Sequence, residues 1–185
     1  MRALGLAALL FTLPVPAAAL HPDDLLPSLA GPTLSGPSLE LPAAPGHAAL
    51  VIFSFSRSAG RDARLWNERF SRDFPEDGPA YLVLELESVP RLVRGRVVSA
   101  IRNGMPLRMQ GRAIILDHDE ATWRSLLEVS EDRRAHLVLL DAGGRIAWRN
   151  GGAFTEVEYR RMKAVLDFSR ASRPPAPRTA PPASP

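Results

Sequence analysis

A short apolar segment, followed by a polar turn and an amphipathic helix, constrains the fold more than any other part of the chain. The segment Ala49–Phe55 is almost continuously apolar and rich in β-branched and aromatic residues, which is typical of a strand buried on both faces. Polar residues 56–62 follow, and Ala63, Trp66 and Phe70 then recur at helical spacing. A buried strand that leads through a polar loop into a helix indicates an α/β sheet, and such loops commonly form binding sites.

The same reasoning predicts alternating strands and helices through the middle of the chain. The second helix is predicted to begin with Ser88 as its cap and to place Leu92 on an apolar stripe. Asp141–Gly144 is a strong hairpin turn, and Thr155 to Glu158 matches a capping box. The predicted order is β-α-β-α-β-α-β-β-α, with strands at 49–55, 80–86, 113–116, 136–140 and 146–148 and helices at 62–74, 88–101, 120–127 and 155–168.

The two ends of the chain differ in composition from its middle. Residues 1–19 contain an apolar run too short to span a bilayer and end in Ala17-Ala18-Ala19, which predicts a secretory signal peptide; an uncleaved anchor or a transit peptide is the alternative. Residues 20–45 form a Pro-rich lead-in, in which Thr33–Leu41 alternates weakly and could form an edge hairpin. We expect a globular domain at 46–168 and a disordered Pro/Ala/Arg tail at 169–185.

Composition excludes several classes of function. The chain has no cysteine, which excludes thiol–disulfide exchange, thiol peroxidase chemistry and thiolate metal sites. Its net charge is only +3, which does not favour nucleic-acid binding. We predict no cofactor, no metal site and no evident small-molecule substrate.

The order of elements, with its closing β-hairpin and C-terminal helix, resembles the thioredoxin-like fold of peroxiredoxins and extracytoplasmic thioredoxins. The resemblance implies a central mixed sheet flanked by helices. The segment Val51–Ser56 matches the strand before the redox loop of that fold. The two cysteine positions then fall near Ala59 and Asp62, and neither residue can form a thiolate. The redox function is therefore not implied for this chain.

A second resemblance concerns the C-terminal hairpin. Residues 136–158 combine a hydrophobic strand, the Asp141–Gly144 turn, the strand Ile146-Ala147-Trp148, a Gly-containing loop and a Glu-bearing helix. This run is similar to the mitochondrial ATP synthase assembly chaperone family, itself thioredoxin-like, although Ala147 stands where that family usually has Arg. The resemblance implies a non-redox chaperone that helps to assemble a membrane complex.

Two polar motifs have both a functional and a structural interpretation. Ser54, Ser56 and Ser58 flank the first loop, but the chain has no G-x-S-x-G motif, and hydrogen bonding within a loop explains them better than nucleophilic catalysis. Asp117-His118-Asp119-Glu120 offers metal-ligand types, yet adjacent side chains point in different directions, so an acidic helix cap is favoured.

The candidate binding residues are basic or aromatic. Arg57, Arg61 and Arg64 cluster at the start of the first helix, where they could contact an anion or a lipid headgroup or could simply form a solvated surface. Trp148 is expected to pack in the core, whereas its exposure beside Arg149 would indicate a partner surface.

These observations lead to one preferred hypothesis and two alternatives. We predict a non-redox, exported, thioredoxin-like binding protein in the periplasm or another extracytoplasmic space, with a membrane complex or envelope protein as its partner. The predicted partner contacts are Arg57, Ser58, Arg61, Trp148 and Arg149. The alternatives are a thiol-independent enzyme that uses Ser58 or Asp62, and a structural module that only docks envelope proteins. For the preferred hypothesis we predict no catalytic residue.

Overall fold

The computed structural model describes residues 19–42, 46–75 and 79–171. The predicted signal peptide, apart from Ala19, lies outside these residues. The elements in chain order are β1 Leu29–Pro32, β2 Ser38–Leu41, β3 Ala49–Ser54, α1 Ala59–Asp73, β4 Ala80–Glu85, α2 Arg91–Asn103, α3 Leu107–Gln110, β5 Ala113–Leu116, α4 Glu120–Leu126, β6 His136–Leu140, β7 Ile146–Gly151 and α5 Glu156–Ala171.

The strand β3 lies at the centre of a five-stranded sheet with the order β5-β4-β3-β6-β7. It pairs in parallel with β4, which pairs in parallel with β5. On its other side β3 pairs antiparallel with β6, and β6 forms an antiparallel hairpin with β7. The predicted order of elements from β3 onward is confirmed, with the short helix α3 as an addition.

Alternation along the strands divides the core between the two faces of the sheet. Leu50 and Ile52 of β3 point toward the face covered by α1, α2 and α5, where Trp66 and Phe70 are buried. The neighbouring residues of β3 point toward the opposite face, which is covered by α4 and by the leucines of the lead-in. All six residues of β3 are buried, as its sequence predicts.

One edge of the sheet is covered by the start of the lead-in. The Ile146 N–H donates to the Asp24 carbonyl at 2.8 Å, and the Asp23 N–H donates to the Ile146 carbonyl at 2.8 Å. Leu25 forms an antiparallel bridge with Arg145. These bonds satisfy backbone groups of the edge strand β7 that would otherwise offer a template for pairing with another chain.

The opposite edge is covered by the hairpin of β1 and β2, which confirms the expected hairpin but begins earlier, at Leu29. The Leu34 N–H donates to the Ala113 carbonyl at 2.9 Å, and Thr33 forms a bridge with Ile114. The lead-in is therefore an integral part of the domain, because it covers both edges of the sheet.

Gly31 allows the hairpin to approach β5 closely, so Gly31→Ala is expected to destabilise the fold. An added Cβ would lie 2.6 Å from the Ile115 carbonyl oxygen and 3.0 Å from Cγ2 of Ile114. Because the oxygen belongs to backbone, the hairpin must move, and we expect a loss of about 1–3 kcal/mol in the free energy of unfolding. Urea denaturation measures this loss.

The matched control is Gly95→Ala in α2, where an added Cβ would meet nothing within 4 Å. Its expected effect is a gain of about 0.5–1 kcal/mol, because alanine has the higher helix propensity. Equal stability of the Gly31→Ala variant and the unchanged chain would contradict the close approach of hairpin and sheet.

The predicted start of the second helix is wrong. The N-cap of α2 is Pro90, and Ser88 instead donates to the Glu85 carboxylate through its N–H (2.9 Å) and its hydroxyl (3.0 Å). The expected apolar stripe is also incompletely covered: none of the residues of α2 is buried, and Leu92 is 97% exposed. The helical spacing of apolar residues predicts a stripe, but it does not predict how much of that stripe another element covers.

An acidic residue caps α4, as expected, but it comes from another part of the chain than the predicted segment 117–120. Asp119 is the N-cap residue but has a left-handed conformation (φ 62°) and makes no side-chain cap. A carboxylate oxygen of Glu87, from the loop after β4, accepts the Glu120 N–H at 2.7 Å. No group of acidic or histidine side chains in the described residues has the arrangement of a metal site.

The last helix begins as predicted and continues past the expected domain boundary. The Glu158 N–H donates to the Thr155 hydroxyl at 3.2 Å, which is one half of the capping box. The helix α5 ends at Ala171, and the rest of the predicted tail lies outside the described residues. In the described ranges, no helix combines the length and apolar character needed to cross a bilayer.

Candidate functional site

The ends of all five strands, with their loops, form an edge that runs across the sheet and is distinct from the two lateral edges along β5 and β7. Since β3, β4 and β5 are parallel, their carboxyl ends meet there, together with the amino end of the antiparallel strand β6 and the carboxyl end of β7. The residues that connect β3 to α1 (loop 55–58) and those that precede β6 (loop 131–135) lie side by side at this edge. Ligands of open α/β sheets bind at the carboxyl ends of the strands, so this edge is the candidate site.

A serine hydroxyl connects the two loops. The Ser56 hydroxyl donates to the Asp132 carbonyl at 2.5 Å and accepts the Ala59 N–H at 3.2 Å. The hydroxyls of Ser56 and Ser58 lie 2.9 Å apart. Because Ser56 has a single hydroxyl proton and gives it to Asp132, Ser58 must be the donor in this pair. The interpretation of the serines as hydrogen-bonding groups of the loop is therefore supported.

Asp62 makes a second connection between these regions. Its carboxylate lies 3.6 Å from the Arg134 guanidinium, and its side chain is largely buried. Among the described residues, the hydroxyl of Ser58 contacts only the hydroxyl of Ser56. Ser58 thus has neither a carboxylate nor an imidazole to take its proton, and the geometry offers no activation of the kind that a serine nucleophile needs.

Arg124 joins helix α4 to the same edge. Its guanidinium lies 5.0 Å above the ring of Phe55 and donates to Glu120 at 2.5 Å, and it also reaches Asp132 at 3.5 Å. A cation above an aromatic face and between two carboxylates is held in one orientation. Loop 131–135 is therefore fixed from both sides, by Ser56 and by Arg124.

Burial raises the pKa of Glu85 at the end of β4, although the hydrogen bonds from Ser88 oppose this shift. The neighbouring carboxylate of Glu120 raises it further. Glu85 accepts a hydrogen bond from Ser88, and Glu120 forms an ion pair with Arg124. The two carboxylates lie on the side of the candidate site that is nearest to α4.

A cleft of about 440 Å³ opens beside β7. Several of the polar side chains along it have partners within the chain. Arg149 forms an ion pair with Glu128, and the side-chain amide of Asn150 donates to Glu158 at 3.1 Å. Glu158 also forms an ion pair with Arg161 at 2.7 Å. The charges of Glu128, Arg149 and Glu158 are thus paired within the chain, and the cleft is not an obvious site for a charged small molecule.

Because of the buried imidazole of His136, we expect the free energy of unfolding to fall as the pH is lowered below ~6.5. Its side chain is buried at the start of β6, edge-on to Phe55 with the ring centroids 6.0 Å apart. Burial lowers the pKa of the imidazole below 6.5, and the charges of Arg124 and Arg149 lower it further. Below that pH the unfolded chain binds a proton that the folded chain does not bind, so the free energy of unfolding falls until the pH reaches the folded-state pKa.

The measurement is urea denaturation of the unchanged chain and of His136→Gln at pH ~7.5 and ~5.5, on either side of the ordinary histidine pKa. The variant should lose this part of the pH dependence. His118 is a control for which the expected pH dependence of stability has the opposite sign, because its hydrogen bond with Asp117 raises the pKa of His118. Its contribution is present below pH 6.5 and is lost as the pH rises through its folded-state pKa. Identical pH profiles for the unchanged chain and His136→Gln would contradict this account.

The structure brings three of the five predicted contact residues together. Arg57 and Arg61 are exposed and Ser58 is half-buried, all at the start of α1. Trp148 and Arg149 lie elsewhere, on β7, and because they are adjacent in a strand they point to opposite faces of the sheet. They do not form a common surface with each other or with loop 55–58.

Both of these β7 residues have partners within the chain. Trp148 is partly buried and packs against Trp66 with ring centroids 5.9 Å apart. The Arg149 guanidinium donates to the Leu20 carbonyl at 2.6 Å and pairs with Glu128. The core role expected for Trp148 agrees with its position, and Arg149 connects the lead-in to β7.

The start of α1 places the expected redox positions, Ala59 and Asp62, beside a more exposed pair of residues. Ala59 is the first residue of α1 and is fully buried, so a side chain at this position cannot reach the surface. The N-cap residue Ser58 and, one turn later, Arg61 do reach it. Ser58 and Arg61 have the same spacing as Ala59 and Asp62 and are the more exposed pair at the helix start.

Introducing a cysteine at Ser58 should therefore produce a reactive thiol. The amino end of α1 and the exposed charges of Arg57 and Arg61 stabilise a thiolate, so we expect the Ser58→Cys thiol to have a pKa below the ordinary ~8.5. Since the chain has no other cysteine, the rate of alkylation against pH measures this value directly. A Phe168→Cys variant, at a residue that is 73% exposed near the end of α5, is the control. A thiol at position 58 with an ordinary or raised pKa would contradict the proposed geometry.

Comparison with known proteins identifies the fold. No protein-family model matches the chain, and no curated protein matches it in sequence. Solved structures do match. A putative thiol:disulfide interchange protein DsbE from Chlorobium tepidum has a TM-score of 0.59 and 13% identity, covering 82% of this chain and 99% of that one.

Two further structures give the same result. The thioredoxin domain of a thiol-disulfide oxidoreductase from Bacteroides vulgatus has a TM-score of 0.58 and 17% identity, covering 80% of this chain and 99% of that one. An exposed lipoprotein thioredoxin from Streptococcus pneumoniae has a TM-score of 0.56 and 11% identity, covering 76% of this chain and 99% of that one. The fold is thus thioredoxin-like, with a mixed five-stranded sheet flanked by helices and a C-terminal helix, as predicted.

Proposed function

We propose that this chain is a non-redox binding protein that contacts a protein partner through loop 55–58 and the first turn of α1. The observation that carries the proposal is that the serines and the arginines of this region differ in their hydrogen bonding. The hydroxyls of Ser56 and Ser58 are used in hydrogen bonds within the chain, whereas the guanidinium groups of Arg57 and Arg61 are exposed and make no hydrogen bond or ion pair among the described residues.

The absence of cysteine supports binding rather than redox chemistry. The matching structures named as thiol–disulfide proteins share the fold of this chain. Thiol–disulfide exchange needs a thiolate, and this chain has no thiol at any position. Among the residues that the structure describes, the Ser58 hydroxyl also forms no hydrogen bond with a base. What remains at the loop is a surface with the exposed positive charges of Arg57 and Arg61, which suits recognition of an acidic partner.

We further propose that the chain is exported and that its partner is a membrane complex or an envelope protein. The apolar run near the amino end and the alanines at 17–19 support export, and one of the matching structures is an exposed lipoprotein thioredoxin. The hairpin resemblance to ATP synthase assembly chaperones makes membrane-embedded subunits of ATP synthase the first partners to examine, with assembly of that complex as the role.

Affinity capture from detergent-solubilised membranes tests this proposal. A tagged chain is compared with the charge-reversed variant Arg57→Glu/Arg61→Glu, and bound proteins are quantified by mass spectrometry. We expect a discrete partner whose recovery falls about tenfold or more in the variant, because each reversal places like charges against each other. The matched control is Arg72→Glu/Arg160→Glu, which changes the same charge at exposed positions remote from the loop.

Each of the three outcomes leads to a different conclusion. Recovery of ATP synthase membrane subunits would support the assembly role, and recovery of another envelope complex would support only the binding role. Equal recovery from the loop variant and the control would contradict the proposed surface. Trp148 and Arg149 stay predicted contacts, but their intramolecular partners make them unsuitable here, since their substitution would also affect the fold.

A further inference from the structure

The surface of α2 is unusually apolar for a helix that buries none of its residues. Its inward-facing residues Val97, Val98 and Ile101 are only partly covered by the core. At its start Leu92 is 97% exposed, and just beyond it, in α3, Leu107 is 85% exposed. A helix in a globular protein normally buries its apolar stripe, whereas single exposed apolar side chains are common, so an interaction surface is inferred here from the leucines together with their basic neighbours.

The same segment is strongly basic. Between residues 88 and 116 the sequence contains six arginines and no aspartate or glutamate. Two of them have structural partners, because Arg94 donates to the carbonyls of Glu87 and Val89 and Arg102 donates to the Leu34 carbonyl at 2.6 Å. Arg91, Arg96 and Arg108 have no hydrogen bond or ion pair in the part of the chain that the structure describes.

These free arginines flank the exposed leucines. Arg96 lies one helical turn after Leu92 on the same side of α2, and Arg91 precedes Leu92 directly in sequence. Arg108 follows Leu107 directly. Leu92 lies at the start of α2, which is 13 residues long, or about 20 Å, and Leu107 lies beyond its end. The exposed leucines are thus at opposite ends of this helix rather than gathered into a pocket.

We propose that this surface, defined by Arg91, Leu92, Arg96, Leu107 and Arg108, binds an anionic lipid bilayer. The leucines would enter the headgroup region and the arginines would contact lipid phosphates, as in interfacial helices that combine basic and apolar residues. Charge argues against a second copy of this chain as the occupant, because two such surfaces would repel each other. The proposal does not depend on loop 55–58 or on the identity of its protein partner.

Vesicle co-sedimentation tests the proposal. The probes are vesicles of equal parts phosphatidylcholine and phosphatidylglycerol, and vesicles of phosphatidylcholine alone. The full chain is used throughout, so that the apolar run at residues 3–13 contributes equally to every sample. We expect stronger binding to the anionic vesicles and a loss of this excess at high salt, because surface charges are then screened.

Two variants separate charge from apolar contact. Arg91→Gln/Arg96→Gln should lower the partition coefficient about fivefold for each arginine removed. Leu92→Ser/Leu107→Ser should lower it about tenfold or more, because the leucines no longer enter the interface. Thermal unfolding should be unchanged in both variants, since these side chains are exposed.

The control is Val157→Ser/Arg160→Gln on α5, which removes an exposed apolar side chain and an exposed charge elsewhere. It should bind like the unchanged chain. Equal binding to neutral and anionic vesicles, or equal binding of the leucine variant and the unchanged chain, would overturn the proposal. A surface that binds an acidic protein instead of lipid would give the same negative result with vesicles.

Discussion

A chain that lacks residues 20–41 is expected not to form a soluble monomer. This segment contributes five buried leucines to the core, namely Leu20, Leu26, Leu29, Leu34 and Leu41. At about 2 kcal/mol for each buried side chain, their loss removes about 10 kcal/mol, which is comparable with the whole stability of a typical domain, about 5–15 kcal/mol. The deletion also exposes the backbone of both edge strands, β5 and β7, to pairing with other chains. Size-exclusion chromatography and circular dichroism measure the outcome.

Two adjacent leucines give a matched test of the same claim without deletion. Leu26 is 3% exposed, whereas Leu25 is 57% exposed. We expect Leu26→Ser to lower the free energy of unfolding by about 2–5 kcal/mol and Leu25→Ser to change it by about 0.5 kcal/mol or less. A monomeric, folded deletion variant, or equal effects of the two serine substitutions, would show that the lead-in is dispensable.

Trp66→Ala is expected to be among the most damaging single substitutions in the chain. The Trp66 side chain is fully buried on α1, between Trp148, Phe154 and Tyr159, with ring centroids 5.1–5.9 Å apart. It therefore joins α1 to β7 and α5. Truncation leaves a large cavity and removes three aromatic contacts, so we expect a loss of about 3–5 kcal/mol in the free energy of unfolding.

A second substitution at this position separates packing from hydrogen bonding. The indole Nε1 of Trp66 has no hydrogen-bond acceptor among the described residues. Trp66→Phe keeps an aromatic ring and removes this unpartnered group, so its cost should be clearly smaller than that of Trp66→Ala. Leu65→Ala, at the exposed neighbouring position of the same helix, is the control in urea denaturation. If Trp66→Ala cost no more than Leu65→Ala, Trp66 would not have the proposed central role.

The order of the main elements could be predicted because each has a strong local signal. The apolar run of β3 and the helical period of α1 define the start of the domain. The hairpin between β6 and β7 contains Gly144 in a left-handed conformation (φ 80°), which only glycine adopts easily. The Thr155 cap marks the start of α5. These features depend on residues close together in sequence.

The role of the lead-in could not be predicted in the same way. Its proline-rich composition suggests an irregular segment, and only its repeated leucines indicate contact with a core. Which edge each part covers depends on partners far along the chain, such as Asp24 with Ile146 and Leu34 with Ala113. The exposure of Leu92 has the same origin, because the helical period predicts an apolar stripe but not the amount of surface that packs against it.

The candidate site was predicted in part. The polar loop after β3 and its exposed arginines follow from the sequence, but the bond between Ser56 and Asp132 joins residues 76 positions apart. The separation of Trp148 from Arg149 did have a local signal. Neighbouring residues of a strand point to opposite faces, so these two residues could not have formed one surface once the strand was predicted.

The most direct test of the central claim is site-specific photocrosslinking at the start of α1. A photoreactive amino acid replaces Arg61 in one variant and Arg160, on the exposed side of α5, in another, and both are irradiated in cells. We predict a discrete adduct with an envelope or membrane protein from position 61 and none from position 160. The same adducts from both positions, or no adduct from position 61, would contradict the claim that this cysteine-free chain uses loop 55–58 and the start of α1 to bind a partner.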